Sequence, residues 1–218
     1  HTWTESNQLT QRQISRSHYG RFYPTLHLNW QLKDNQNLAF AANWGIERPD
    51  FNDLNPFRIY TSTTDYMTGN PYLAAAYTRN MEINYSNGKG LYAVLYNNYG
   101  KGETGWRTQF LKNGSQVTGP YDGLRHEKTG IYANYNRNVL TWLNLNIGGE
   151  VYYYDSHSDY RTDVLQVHGW GKRAEGSLSF MLNHQKTLIA EVNYRHRFRE
   201  YFAQTQSDSY AYLRMSLK

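Results

Sequence analysis

The sequence predicts an all-β, antiparallel up-and-down barrel wall that crosses a membrane, and three observations carry that prediction. Period-two alternation persists over long segments, with one apolar and one polar face. Short polar turns alternate along the chain with long polar links. Tyrosine outnumbers phenylalanine 21 to 8 in 218 residues, a skew that suits surfaces where a ring is apolar at one end and wet at the other.

From Phe22 to Leu32 the even positions read Phe22, Pro24, Leu26, Leu28, Trp30 and Leu32, with Tyr23, Thr25, His27, Asn29 and Gln31 opposite. After a polar turn at Lys33–Asn37, Leu38, Phe40, Ala42, Trp44 and Ile46 alternate with Ala39, Ala41, Asn43, Gly45 and Glu47. Arg79–Gly100 reads as a hairpin around Asn87-Gly88-Lys89-Gly90. Its first strand turns Met81, Ile83 and Tyr85 outward and Glu82 and Asn84 inward. In its second strand both Leu91/Ala93/Leu95 and Tyr92/Val94/Tyr96 can face out, and the leucine set is preferred. Leu143, Leu145, Ile147, Val151 and Tyr153 alternate with Asn144, Asn146 and Glu150. The sets Ala174/Leu178/Phe180, Leu188/Ala190/Val192 and Leu213/Met215/Leu217 follow the same rule. The residues expected to meet lipid are Leu26, Leu28, Leu143, Leu145, Ile147, Leu178, Phe180, Leu188 and Val192, with Leu145 near mid-membrane.

Further short turns are expected at Asn136–Asn138 and Asn183–Lys186. Long links are expected at Glu47–Thr78, Gly100–Glu127, Asp155–Asp163 and Arg199–Ser207. Long loops at one end and short turns at the other fit a bilayer-crossing barrel of about nine or ten strands in this stretch. Trp30, Trp44, Tyr99 and Tyr152 to Tyr154 fall near strand ends, where interfacial aromatics belong. A soluble sandwich or lipocalin-like barrel also alternates, with its apolar face inward, and the pattern alone leaves that open.

Composition narrows the function classes. No run approaches the roughly 18 apolar residues of a membrane helix. There is no cysteine, hence no disulfide and no thiolate metal site. The chain opens at His1-Thr2-Trp3-Thr4 with no leader pattern, as expected of a processed or excerpted chain. The net charge of +5 is scattered, and no nucleic-acid motif accompanies it. Asp155, His157, Asp159 and Asp163 share one predicted loop but lack the spacing of a calcium loop. No catalytic triad, phosphate loop or paired-carboxylate motif stands out. No enzyme, metal or cofactor is expected.

The link "ERPDFNDLNPFRIYTSTTDYMTGNPYLAAAYTRNMEINY" is the most distinctive stretch. Arg48-Pro49, Leu54-Asn55-Pro56-Phe57, then Gly69-Asn70-Pro71 with Leu73 resemble the loop of one branch of TonB-dependent outer-membrane receptors. Phe22–Leu32 and "KTGIYANYNRN" resemble that family's strands, so the likeness spans most of the chain. The resemblance implies a 22-stranded barrel of which residues 1–218 are a single segment, without the N-terminal plug domain or the final strand or strands. It implies energised uptake of a scarce nutrient across a Gram-negative outer membrane. The implied partners are lipid and lipopolysaccharide, a plug in the same polypeptide, the TonB energy-coupling complex and a surface lipoprotein. A small complete barrel (porin, adhesin or rim protease) and a soluble carbohydrate-binding β-protein are the alternatives. Phe51, Asn55, Phe57, Tyr60, Tyr66 and Asn70 are the candidate ligand-contacting residues, although the same prolines and asparagines also suit a self-packed loop. Arg195, Arg197 and Arg199 form a basic cluster near an external strand end, facing either the lumen or lipopolysaccharide phosphate.

Overall fold

The computed structural model describes residues 2–8, 13–19, 22–158, 165–202 and 205–218. A separate hairpin, β1 (Thr2–Gln8) and β2 (Gln13–Tyr19), comes first. Then follow β3 (Thr25–Lys33), β4 (Gln36–Glu47), a short helix α1 (Phe51–Leu54), β5 (Ile59–Tyr60) and β6 (Tyr66–Met67). The long strands are β7 (Ala76–Ser86), β8 (Leu91–Phe110), β9 (Gln116–Leu140), β10 (Leu143–Ser158) and β11 (Leu165–Met181). The chain closes with β12 (Ile189–Arg197), a small hairpin of β13 (Glu200–Phe202) and β14 (Thr205–Ser207), and β15 (Tyr210–Leu217).

Among the described residues the main sheet is an antiparallel meander in the order β15-β12-β11-β10-β9-β8-β7-β4-β3. It is open: β3 and β15 are its edges. The registers align the outward residues of neighbouring strands. Leu28 faces Phe40, Phe40 faces Ile83, Ile83 faces Leu95, Leu95 faces Ile131, and Ile131 faces Val151. Further along, Leu145 faces Leu178, Leu178 faces Val192, and Val192 faces Met215. Ile83↔Leu95 and Tyr85↔Ala93 put the leucine set of β8 on the apolar face, as preferred from sequence.

Several boundaries depart from expectation. Asn136–Asn138 lies inside β9 rather than in a turn, and the turn is Thr141–Trp142. The asparagines there serve the ladder: Asn144 Nδ2 donates to Asn136 Oδ1 at 3.1 Å and to Asn138 Oδ1 at 2.9 Å. Gly100–Glu127 is no loop. β8 and β9 stay paired up to Phe110↔Gln116, crossing bulges between Lys101 and Gly105. At 25 residues β9 far exceeds the roughly 9–11 that span a bilayer, so this ribbon stands well clear of it. Within the Arg199–Ser207 link, Glu200–Phe202 and Thr205–Ser207 pair as β13 and β14, and a side chain on Gly169 would collide with the Tyr201 ring.

Candidate functional site: the lumenal charge lattice and the external loop

Alternation places Tyr96, Lys128, Glu150, Tyr152, Arg173, Arg195 and Arg197 on the polar face, across five neighbouring strands. Glu150 is the hub. Its Oε1 accepts from Tyr96 Oη and lies 2.6 Å from Lys128 Nζ, while Oε2 lies 3.2 Å from Arg173 Nη1. Arg173 Nε also donates to Glu200, whose other oxygen is 3.8 Å from Arg197 Nη1. Arg195 Nε pairs with Glu175 at 3.2 Å. Lys128 Nζ lies 3.9 Å above the Tyr152 ring, a cation–π contact that holds the amine in the lattice.

Glycines make room for the rings. A side chain on Gly171 would meet the Tyr152 ring, and one on Gly130 would meet Tyr152 Cβ and the Tyr96 hydroxyl. Tyr152 and Tyr154 are therefore buried on the inner face, and only Tyr153 of that triplet points outward, edge-on to Trp170 at 5.5 Å. The expectation of an interfacial role for all three fails, because successive strand residues point to opposite faces.

Of the basic cluster, Arg195 and Arg197 point inward and are ion-paired, whereas Arg199 lies beyond the strand and is exposed. Glu191, on the same polar face of β12, is engaged by Lys218 Nζ at 3.0 Å. Of the oxygen-rich loop, Asp155 and His157 belong to β10, while Asp159 and Asp163 fall outside the described residues.

At the opposite end from the short turns, the link after β4 is a folded unit. Asp50 Oδ1 caps α1 by accepting from Asn52 N at 2.8 Å. Asn55 Oδ1 accepts from Phe57 N, its carbonyl accepts from Gly69 N, and Asn70 N donates to the Asp53 carbonyl at 2.6 Å. Gly69 is thus wrapped by the carbonyls of Asn52, Asp53 and Asn55, which leave no room for a Cβ. β6 then pairs in parallel with β9, Tyr66↔Val117 and Met67↔Thr118. Asn70 Nδ2 reaches the Pro120 carbonyl, and Asp122 Oδ2 accepts from Ala74 N at 3.0 Å. Leu73, Ala75 and Ala76 are buried beneath.

The six candidate loop residues divide accordingly. Asn55 and Asn70 build the loop. Tyr66 is half-buried, 5.6 Å from the Tyr60 ring, with the Arg58 guanidinium 4.8 Å from its centroid. Phe51, Phe57 and Tyr60 are 77%, 71% and 61% exposed, and Asn55 is exposed beside them. The lumenal lattice was not visible as a motif: Lys128, Glu150, Arg173 and Glu200 are spaced by more than twenty residues. The usable signal was charge of both signs on the polar face of long strands.

A charge-bearing inner face, an apolar outer face and long extensions at one end define the wall of a transmembrane β-barrel. The chain belongs to the outer membrane protein beta-barrel family, whose pattern it matches over residues 1–218. Its location is therefore the outer membrane of a Gram-negative cell. No curated protein matches the chain.

Proposed function

We propose that this wall belongs to a TonB-dependent receptor that draws a scarce nutrient (a metal chelate, an oligosaccharide or a peptide) through the outer membrane. The observation that carries the reading is the folded link from Arg48 to Leu73. The residues that resemble the receptor loop act here as one device: Asn55 and Gly69 hydrogen-bond to each other, and Asn70 ties the unit to Pro120 on β9. A segment so constructed is a fixed rim that presents Phe51, Phe57 and Tyr60 at the external mouth. The paired charges of the inner face suit contact with a polar plug of the same polypeptide. The open edges β3 and β15 call for further strands, because unpaired backbone groups in lipid cost several kcal/mol each. Energy comes from the TonB complex, a surface lipoprotein supplies ligand at the rim, and no chemical step is assigned to the protein.

The test is electrical and energetic. The protein inserted into a planar bilayer should hold no steady ion current, because a plug fills the lumen. Cells that depend on it for growth should lose that growth when TonB is deleted. A steady porin-like conductance, or growth indifferent to TonB, would refute the receptor reading.

A further inference from the structure

Above the apolar band, the outward face of the sheet carries a row that the lumenal lattice does not explain. Lys101 on β8 lies directly opposite Arg125 on β9, and Arg125 lies opposite His157 on β10. Like charges directly opposed on one sheet face are destabilising. Lys101 and Arg125 are exposed, and neither side chain has an ionic or hydrogen-bonding partner among the described residues.

The acids that could relieve the pair are held elsewhere. Glu127, one outward position below Arg125, accepts from Asn97 Nδ2 at 2.8 Å and lies 3.9 Å from Arg79 Nη2. Asp155 accepts from Gln166. Simple alternation would set Glu103 on the outward face beside Lys101. The register shift between Lys101 and Glu103, with Gly102 at φ +77°, turns Glu103 inward instead. There its Oε2 is 2.7 Å from His126 Nδ1. The bulge thus removes the carboxylate from the outer face and leaves two adjacent cations uncompensated. They sit three outward positions past Leu95 and Ile131, the last aliphatic pair of that face on their strands, and one step past Arg79, Tyr99 and Glu127.

We propose that Lys101 and Arg125 form a site for the phosphate of a phosphorylated glycolipid in the outer leaflet. A phosphate bridging the pair turns repulsion into two charge-assisted hydrogen bonds, with Arg125 able to engage two oxygens at once. The chemistry is that of a lipid headgroup rather than a soluble anion, because both cations share the outward face with the apolar band and lie one step past the Tyr99 ring, where interfacial aromatics belong. The inference rests on the outer-membrane setting and not on the transport reading.

The experiment uses the protein extracted from outer membranes into detergent micelles, with bisphosphorylated lipid A as probe and native mass spectrometry as readout. Lipid A should bind, its fully dephosphorylated form should bind about tenfold or more weakly, and millimolar inorganic phosphate should not displace it. The double variant Lys101→Gln/Arg125→Gln should lose the same factor, while Lys112→Gln, on the turn after β8, should lose nothing. Heat-modifiable gel mobility reports that the variants are folded. Equal binding of both lipid forms by the unmutated protein would overturn the site without any variant. Displacement by inorganic phosphate, or undiminished binding by the folded double variant, would overturn it equally.

Discussion

The lower and upper halves of the β8–β9 ribbon use the same ladder and are specified by different physics. Below the Asn97–Thr129 pair, Leu91, Ala93, Leu95, Ile131 and Ala133 form an apolar outward face opposite Tyr92, Tyr96, Lys128 and Tyr132. Above the bulges the outward residues Trp106, Thr108 and Phe110 follow no hydrophobic rule, and burial on the other face is uneven, with Gln109 exposed. Tyr121 is 5% exposed there, and Thr68 N, from the docked link, donates to the Thr118 carbonyl at 3.0 Å. The wall is dictated by its solvent, the extension by a partner segment fifty residues away.

The comparison predicts a large asymmetry for one substitution made at two heights. Ile147 lies midway between Leu143 and Val151 on the outward face of β10 and is flanked by Tyr135 and Gly176. Ile147→Arg should cost roughly 2–4 kcal/mol, the range for a cation at the bilayer midplane. Trp106→Arg, outward but above the band, should stay within about 0.5 kcal/mol. Urea titrations in lipid vesicles measure both. Leu145, expected at mid-membrane, is the poorer probe, because it sits one position from the turn end and pairs with Arg137. Below the row of Arg79, Tyr99 and Glu127 the outward face still carries Arg137 and Lys172, whose long stems can carry their charged ends toward water.

Next in size is the lumenal hub. Glu150→Ala strips Lys128 and Arg173 of a shared acceptor, and Glu150→Gln retains the shape with half the capacity. Loss of about 2 kcal/mol for the alanine variant is the expectation for a largely buried charged partner. Loss indistinguishable from that of an exposed Glu82→Ala would show that the lattice is solvated and contributes nothing.

How much of this was legible follows the same division. The two faces are legible along most wall strands because period-two alternation is a local pattern, and the registers set Leu28, Phe40, Ile83, Leu95, Ile131 and Val151 on one of them. The β8 face was the exception: both of its faces carry apolar and aromatic side chains, and only the pairing of Ile83 with Leu95 decides between them. Asn136–Asn138 reads as a turn in the sequence, but asparagine serves a cross-strand amide ladder as readily, and here it does so. The long β8–β9 ribbon read as a loop because Gly102, Gly114, Gly119 and Gly123 resemble breakers, whereas two of them shape bulges and Gly119 gives way to Thr68. In the rim loop, Asn55 and Asn70 could be named but not assigned, since their partners Gly69 and Pro120 are set by tertiary folding.

A smaller, local effect should follow in the rim. Gly69→Ala drives a Cβ into three carbonyls, an overpacking cost of about 1–3 kcal/mol confined to the link. Limited proteolysis on intact cells should then cleave between α1 and β7, while the urea midpoint of the barrel stays unchanged. Failure of the barrel to assemble would mean that the rim nucleates the wall, which contradicts the separation drawn between the two halves.

The finest distinction is one of pH. Asp65 Oδ1 accepts from Gln116 N at 2.9 Å, and its backbone N–H is met by Ser62 Oγ at 3.0 Å, so this one residue joins the β5–β6 turn to the start of β9. The hydrogen bond from Gln116, with a further one from Ser62, holds the carboxyl below the ordinary aspartate range. A carboxyl lowered in the folded state contributes its full anchorage above the unfolded value and loses it as pH falls through the folded one. Acidification into that window should loosen the β6–β9 contact. Amide exchange at Gln116 and Thr68 as a function of pH measures it, and Asp65→Asn should show the loosened exchange at neutral pH with no further change on acidification. An exchange profile that keeps its acid step in Asp65→Asn would assign the titration to another group and leave the docking of the rim on β9 to backbone pairing alone.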